Sequence, residues 1–210
     1  MATPARRPAT YQDIVDAPEH QIAEIIDGEL FMSPRPAPRH ALAASALTEE
    51  LGPPFKRGRG GPGGWMILFE PELHLGSDVL VPDLGGWRLE RMPTIPVEPY
   101  FALAPDWVAE VLSPSTEKTD RLQKLAIYAR AGVRHVWLVH PIYKSLEVLR
   151  LHEGRWLLVA THHSDQRVRA EPFDAIELDL AILWQGAPPL GDGPWRASEP
   201  VALYEHDAPA

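Results

Sequence analysis

The sequence predicts a mixed α/β fold, strand-rich, with two principal helices and an antiparallel hairpin on either side of a strand–helix–strand unit. Three observations carry this. Residues 106–112 and 134–140 are strongly apolar runs of strand length, separated by a helical stretch at 117–131, which is the order of a βαβ unit. Asp27-Gly28 separates two strand-like runs, 21–26 and 29–33, and Asp-Gly is among the strongest two-residue hairpin signals. His152-Glu153-Gly154 plays the same part between 144–151 and 155–161.

In chain order, residues 1–10 are rich in Pro, Ala and Arg and read as a disordered tail. A short helix is expected from Tyr11. After the first hairpin a Pro-rich bend, SPRPAPR, leads into a helix at 40–51. That helix has Leu42, Ala46 and Leu47 on one side, and Pro53-Pro54 should stop it. Gly58, Gly60 and Gly63 formally match GxGxxG, but a helix precedes them and a strand follows, the reverse of a dinucleotide site. No nucleotide cofactor is expected. Residues 65–75 and 79–87 read as two strands, although Pro82-Asp83 within the second are poor strand formers. The helix at 117–131 should end on Gly132. Residues 11–186 are taken as one domain and 187–210, rich in Pro, Gly and acids, as a loose tail.

Composition narrows the function classes. The chain has 210 residues, 45% of them hydrophobic, and no cysteine, so thiolate nucleophiles and cysteine zinc sites are excluded. With no signal-peptide core and no run of about 18 apolar residues, a cytoplasmic protein with no membrane partner is expected. A formal net charge of −9 does not suggest nucleic acid. The basic clusters are 56–59, the helix 117–130 and Arg167 with Arg169.

The chemistry centres on Glu110, an acid inside an otherwise apolar strand. Burying it costs several kcal/mol, roughly, unless a partner charge, hydrogen bonds or a metal offsets it. Asp83 is a second acid in an apolar setting. If the two strands are neighbours, the pair can converge as hard oxygen ligands for Mg²⁺, with the Val111 backbone carbonyl as a third. On the helix, Leu125, Ala126 and Ala129 make the principal apolar stripe, which puts Lys124, Tyr128 and Asp120 on the opposite, solvated side. Ser113 or Thr116 should cap that helix. His40 reads as structural and His162-His163 as surface. No HExxH, Cys/His or GxSxG pattern occurs.

Pro82-Asp83, then PDWVAEVLSPST (105–116), Asp120, Lys124, Tyr128, Ala131-Gly132-Val133 and Trp137-Leu138-Val139 resemble the Uma2 family (DUF820), as do EIIDGELFMSP (24–34) and His40. The resemblance covers roughly residues 11–180. It implies a PD-(D/E)XK, restriction-endonuclease-like fold and metal-dependent hydrolysis of DNA phosphodiesters. Asp83 and Glu110 would hold Mg²⁺ or Mn²⁺. The lysine that the superfamily places two residues after the second acid is Leu112 here, and Lys124 resembles its relocated equivalent. Glu24 or Glu29 would supply a further acid, with His40, Ser113, Asp120 and Tyr128 as supporting residues. His140 stands where the family often has an acid. A DNA substrate and a homodimer, one copy per strand, are implied. Two alternatives stay open: a catalytically weak or inactive binding module with this fold, and a phosphohydrolase of small esters.

Overall fold

The computed structural model describes residues 7–187. A short helix α1 (Tyr11–Val15) precedes the hairpin β1 (Gln21–Ile26) and β2 (Glu29–Pro34), which turns at Asp27-Gly28 as expected. Helix α2 (Pro38–Leu51) starts on a proline, whose missing N–H is no loss at a first turn. Pro53-Pro54 do not end it at once, because a π-helical turn Gly52–Lys56 carries it on. The glycine loop then leads into β3 (Trp65–Phe69), with no helix after it. Its tightness is set at Gly61, where an added Cβ would lie 2.5 Å from Pro54 Cβ.

Two spans that read as single strands are each broken at a proline. The first is β3 and β4 (Leu73–Leu75), separated around Pro71; the second is β5 (Asp78–Leu80) and β6 (Leu84–Arg88), separated around Pro82. Proline has no N–H to give a ladder. Each break hands the chain from one sheet to another, and Asp83 therefore lies in a crossing rather than inside a strand. After β6 come β7 (Trp107–Val111), helix α3 (residues 117–131, with a π-helical segment Asp120–Lys124) and β8 (His135–His140). The hairpin β9 (Ser145–His152) and β10 (Arg155–His163), the pair β11 (Arg167–Val168) and β12 (Leu178–Asp179), and a 3₁₀ turn Leu180–Trp184 complete the described chain.

The central sheet has six strands in the order β10-β9-β8-β7-β6-β3, and β2-β1-β5-β4 form a four-stranded antiparallel sheet. In the central sheet β7 and β8 are parallel, joined by α3, and the other pairings are antiparallel. Strand alternation sorts the core into two layers. Trp107, Ala109 and Val111 pack with Trp65, Trp137, Phe173 and with Leu47 and Leu51 of α2. Val108 packs on the other side with Ile26, Leu80, Val136, Leu138, Ile127 and Tyr128. By the same alternation Glu110 points to that second side, under α3 and the smaller sheet.

At the N-terminus, residues 7–10 are held rather than loose: Ala9 N–H donates to Gly28 O at 2.8 Å and Arg7 pairs with Asp13. Residues 1–6, and 188–210 of the expected C-terminal tail, lie outside the described residues. Among the described residues no helix is long and apolar enough to cross a membrane.

Candidate active site

Antiparallel pairing of β6 with β7 sets Leu84 opposite Ala109, which brings Asp83 beside the end of β7. Asp83 Oδ2 accepts from the Val111 N–H at 2.7 Å. Its Oδ1 lies 3.2 Å from Nε2 of His40, in the first turn of α2. Glu24 reaches in from β1 of the smaller sheet, where its Oε1 accepts from the Val81 N–H at 2.7 Å. Helix α3 supplies Asp120 and Lys124. Five elements thus meet at a cleft of about 490 Å³, lined by Glu24, His40, Asp83, Glu110, Asp120 and Lys124 among others.

Lys124 ties the acids together. Its Nζ is 2.9 Å from Glu24 Oε1, 3.1 Å from Glu110 Oε1 and 3.5 Å from Asp120 Oδ1. Behind the cleft, the Tyr128 hydroxyl donates to the same Glu110 oxygen at 2.5 Å. Glu24, Glu110, Asp120 and Lys124 are all no more than 5% exposed, so these contacts stand in place of water.

One lysine faces more than one acid, and the proton affinities follow. Burial pushes the Glu110 carboxyl well above its usual range; Lys124 pulls it down, while Asp120, Asp83 and Glu24 push it further up. Asp120 is raised for the same first reason, although Lys124 and the Thr116 hydroxyl oppose the shift. For Lys124, burial works against the charge and is outweighed by Glu110 and Glu24, so the ammonium is held more firmly than usual. His40 is desolvated too, yet its hydrogen bond to Asp83 and the charges of Asp83, Asp120 and Glu70 together outweigh that and raise its pKa.

The structure reverses the expected phase of α3. Its buried face is Asp120, Lys124, Ile127 and Tyr128, while Leu122 is 66% exposed and Ala126 is also exposed. The face is polar because it meets Glu24 and Glu110, and an apolar-stripe reading cannot see partners that lie elsewhere in the chain. Thr116 is the N-cap residue but makes no side-chain cap bond; Ser113 contributes its carbonyl to the Glu117 N–H, and its hydroxyl faces those of Ser115 and Thr116.

Of the two glutamates left open, Glu24 lines the cleft, whereas Glu29 is exposed at the turn end of β2. Val111 engages Asp83 through its N–H. Leu112, in the position of the superfamily's lysine, is buried in the core. His140 is buried with Nε2 3.6 Å from Glu117 and Nδ1 accepting from the Tyr143 N–H at 3.3 Å. The sequence reading passed over Glu70, whose N–H donates to the Asp83 carbonyl and whose carboxyl is raised by burial and by Asp83. The Glu70-Pro71 break was the available signal. Among the described residues no group of three or more His, Asp or Glu stands ready to hold a metal ion. Asp83 and Glu110 are the carboxylates that could share one with a ligand's own oxygens.

The fold is similar to that of a solved structure described as "a putative nuclease belonging to DUF820" from Anabaena variabilis. The TM-score is 0.69 at 22% identity, over 84% of this chain and 98% of that one, so the likeness is one of nuclease-like fold. The chain belongs to the Uma2 family: the family model, described as "Putative restriction endonuclease", matches residues 8–182. No curated protein matches it.

Proposed function

We propose that the protein is a divalent-metal-dependent endonuclease that hydrolyses DNA phosphodiester bonds in this cleft. The observation that carries the reading is the convergence of Glu110, Glu24 and Asp120 on one buried lysine, with Asp83 in the same cleft, in a chain of a family described as "Putative restriction endonuclease". The residues fit Mg²⁺ or Mn²⁺ on two grounds. The donors are hard oxygens, and Mg²⁺ is typically held by one or two carboxylates with substrate phosphate oxygens. The acids outnumber the cations: burial first, and then the neighbouring carboxylates, raise Glu110 and Asp120, and a dication would offset the second of these causes.

Asp83 and Glu110 would hold the ion, with the Val111 carbonyl as a further oxygen. When bound, it supplies Lewis-acid neutralisation of the scissile phosphate. The chain's own groups do the rest. Val111 N–H and His40 fix the Asp83 carboxylate, and Tyr128 fixes Glu110. Lys124 is a firmly held positive charge that would stabilise negative charge developing on the phosphate oxygens. Its place on α3 supplies the charge that Leu112 does not.

A second reading, a binding module that keeps the fold without catalysis, is favoured by one observation: Lys124 already spends its charge on three acids. Calorimetric titration with Mn²⁺ separates the two. The endonuclease reading expects binding at millimolar or lower concentration, weakened in Asp83→Asn and in Glu110→Gln. Absence of binding by the unaltered protein would favour the module. Reaction with small phosphate esters but not with DNA would favour the phosphohydrolase. A homodimer would suit cleavage of two strands.

A further inference from the structure

We propose that the cleft accepts an unpaired nucleotide of a DNA strand, its base against an apolar wall, rather than the phosphate ridge of an intact duplex. This rests on the endonuclease reading and narrows its substrate. Three features of the cleft point the same way.

The first is depth. Glu24, Glu110, Asp120 and Lys124 are 3–5% exposed, and Asp83 and His40 keep only 12% and 13% of their side chains open. A duplex is stiff over about 150 base pairs and offers its phosphates only as a continuous ridge. A single strand bends at each nucleotide and can lower one phosphate to a recessed floor. Enzymes that act inside such a pocket take single strands or extrude the nucleotide from the stack.

The second is the wall. Ile22, Val81, Pro34, Pro36, Ala37 and Pro114 line the cleft along with its charged groups and the hydroxyls of Ser33, Ser113, Ser115 and Thr116. In a duplex the base faces are stacked on one another and cannot meet such a surface. An exposed base can, and apolar contact is tolerant of sequence because every base has an apolar face. The cleft volume, about 490 Å³, falls in the range of pockets that enclose small ligands, about 300–1,000 Å³.

The third is the shortage of cations. The basic residues lining the cleft are Arg35, His40 and Lys124. Lys124 is committed to three acids, His40 to Asp83, and Arg35 lies 4.0 Å from Glu70. A protein that grips a duplex neutralises many phosphates with Lys and Arg. This cleft cannot, and the formal net charge of −9 deepens the mismatch. A substrate held by one phosphate and one base needs fewer.

The test is fluorescence anisotropy with the unaltered protein and millimolar Ca²⁺, an oxygen-seeking dication. Three labelled probes are compared: a single-stranded oligonucleotide, the same sequence as a duplex, and the same single strand with its central bases replaced by abasic sites. The expected result is binding of the single strand about tenfold or more tighter than the duplex, with most of that advantage lost in the abasic strand. Equal or tighter duplex binding would overturn the inference, as would an abasic strand that binds like the intact one. Binding of none of the three would overturn it too. Duplex nicking that depends on Glu110, without single-strand preference, defeats this inference and leaves the endonuclease reading standing. Single-strand preference in Ca²⁺, with no cleavage of any of the three probes when Mn²⁺ replaces it, upholds the ligand class and defeats the hydrolysis.

Discussion

Lys124 is in contact with three carboxylates and is 4% exposed, so removing its charge leaves several acids facing one another in a dry site. Lys124→Ala should destabilise the protein by about 3–5 kcal/mol in urea unfolding, the usual cost of breaking a buried pair. A loss below about 1 kcal/mol would mean that the acids are neutral or hydrated. Tyr128→Phe keeps the ring and removes one bond to Glu110, so about 1.5–3 kcal/mol is expected. His140 sets a pH dependence. Burial lowers its pKa, and its Nδ1 can accept from the Tyr143 N–H only while unprotonated. Its folded pKa lies below the unfolded value of about 6.5, so its contribution is whole above that pH and is lost as pH falls below it. The raised Glu110 and Asp120 act in the opposite sense, with stability lost as pH rises above their unfolded values. The comparison is therefore between variants: from about pH 7 to about pH 5.5, urea midpoints should fall more steeply in the unaltered protein than in His140→Leu. Parallel profiles would assign His140 no part.

At the scale of elements, the sequence announced the hairpins, the βαβ unit and the Gly132 stop, because each depends on signals a few residues apart. Gly132 takes φ of 78°, the left-handed value its position requires. What escaped was set by distant partners. The prolines at 71 and 82 signalled broken strands, but the chain's passage between two sheets depends on which strands pair, and β1 finds β5 across more than 50 residues. The phase of α3 escaped for the same reason, since its buried lysine is paid for by Glu24 and Glu110. Glu24 and Glu29 were equivalent in sequence, and only the orientation of β1 over the cleft distinguishes them. The corrected phase is open to test. Leu122→Glu, on a position 66% exposed, should change stability by no more than about 0.5 kcal/mol, whereas a loss of 2 kcal/mol would restore the apolar-stripe orientation.

For the molecule as a whole, two apolar layers on either side of the central sheet hold rigid the strands whose ends carry Asp83 and Glu110, while α3 and the smaller sheet close over the second. For the endonuclease proposed above such support would matter, because a hydrolytic site must keep its groups in place without reorganising as charge develops. The family resemblance grouped Asp83, Glu110 and Lys124, which line one cleft; physical reasoning from the chain alone reached a costly acid in need of a partner. The most direct test of the central claim is nicking of plasmid or single-stranded oligonucleotide DNA in Mn²⁺ by the protein and by Glu110→Gln, purified in parallel, with matching thermal unfolding to show that both are folded. The account predicts nicking by the unaltered protein, abolished by chelation, and a loss of at least about a hundredfold in Glu110→Gln. Nicking that persists unchanged in Glu110→Gln would contradict it.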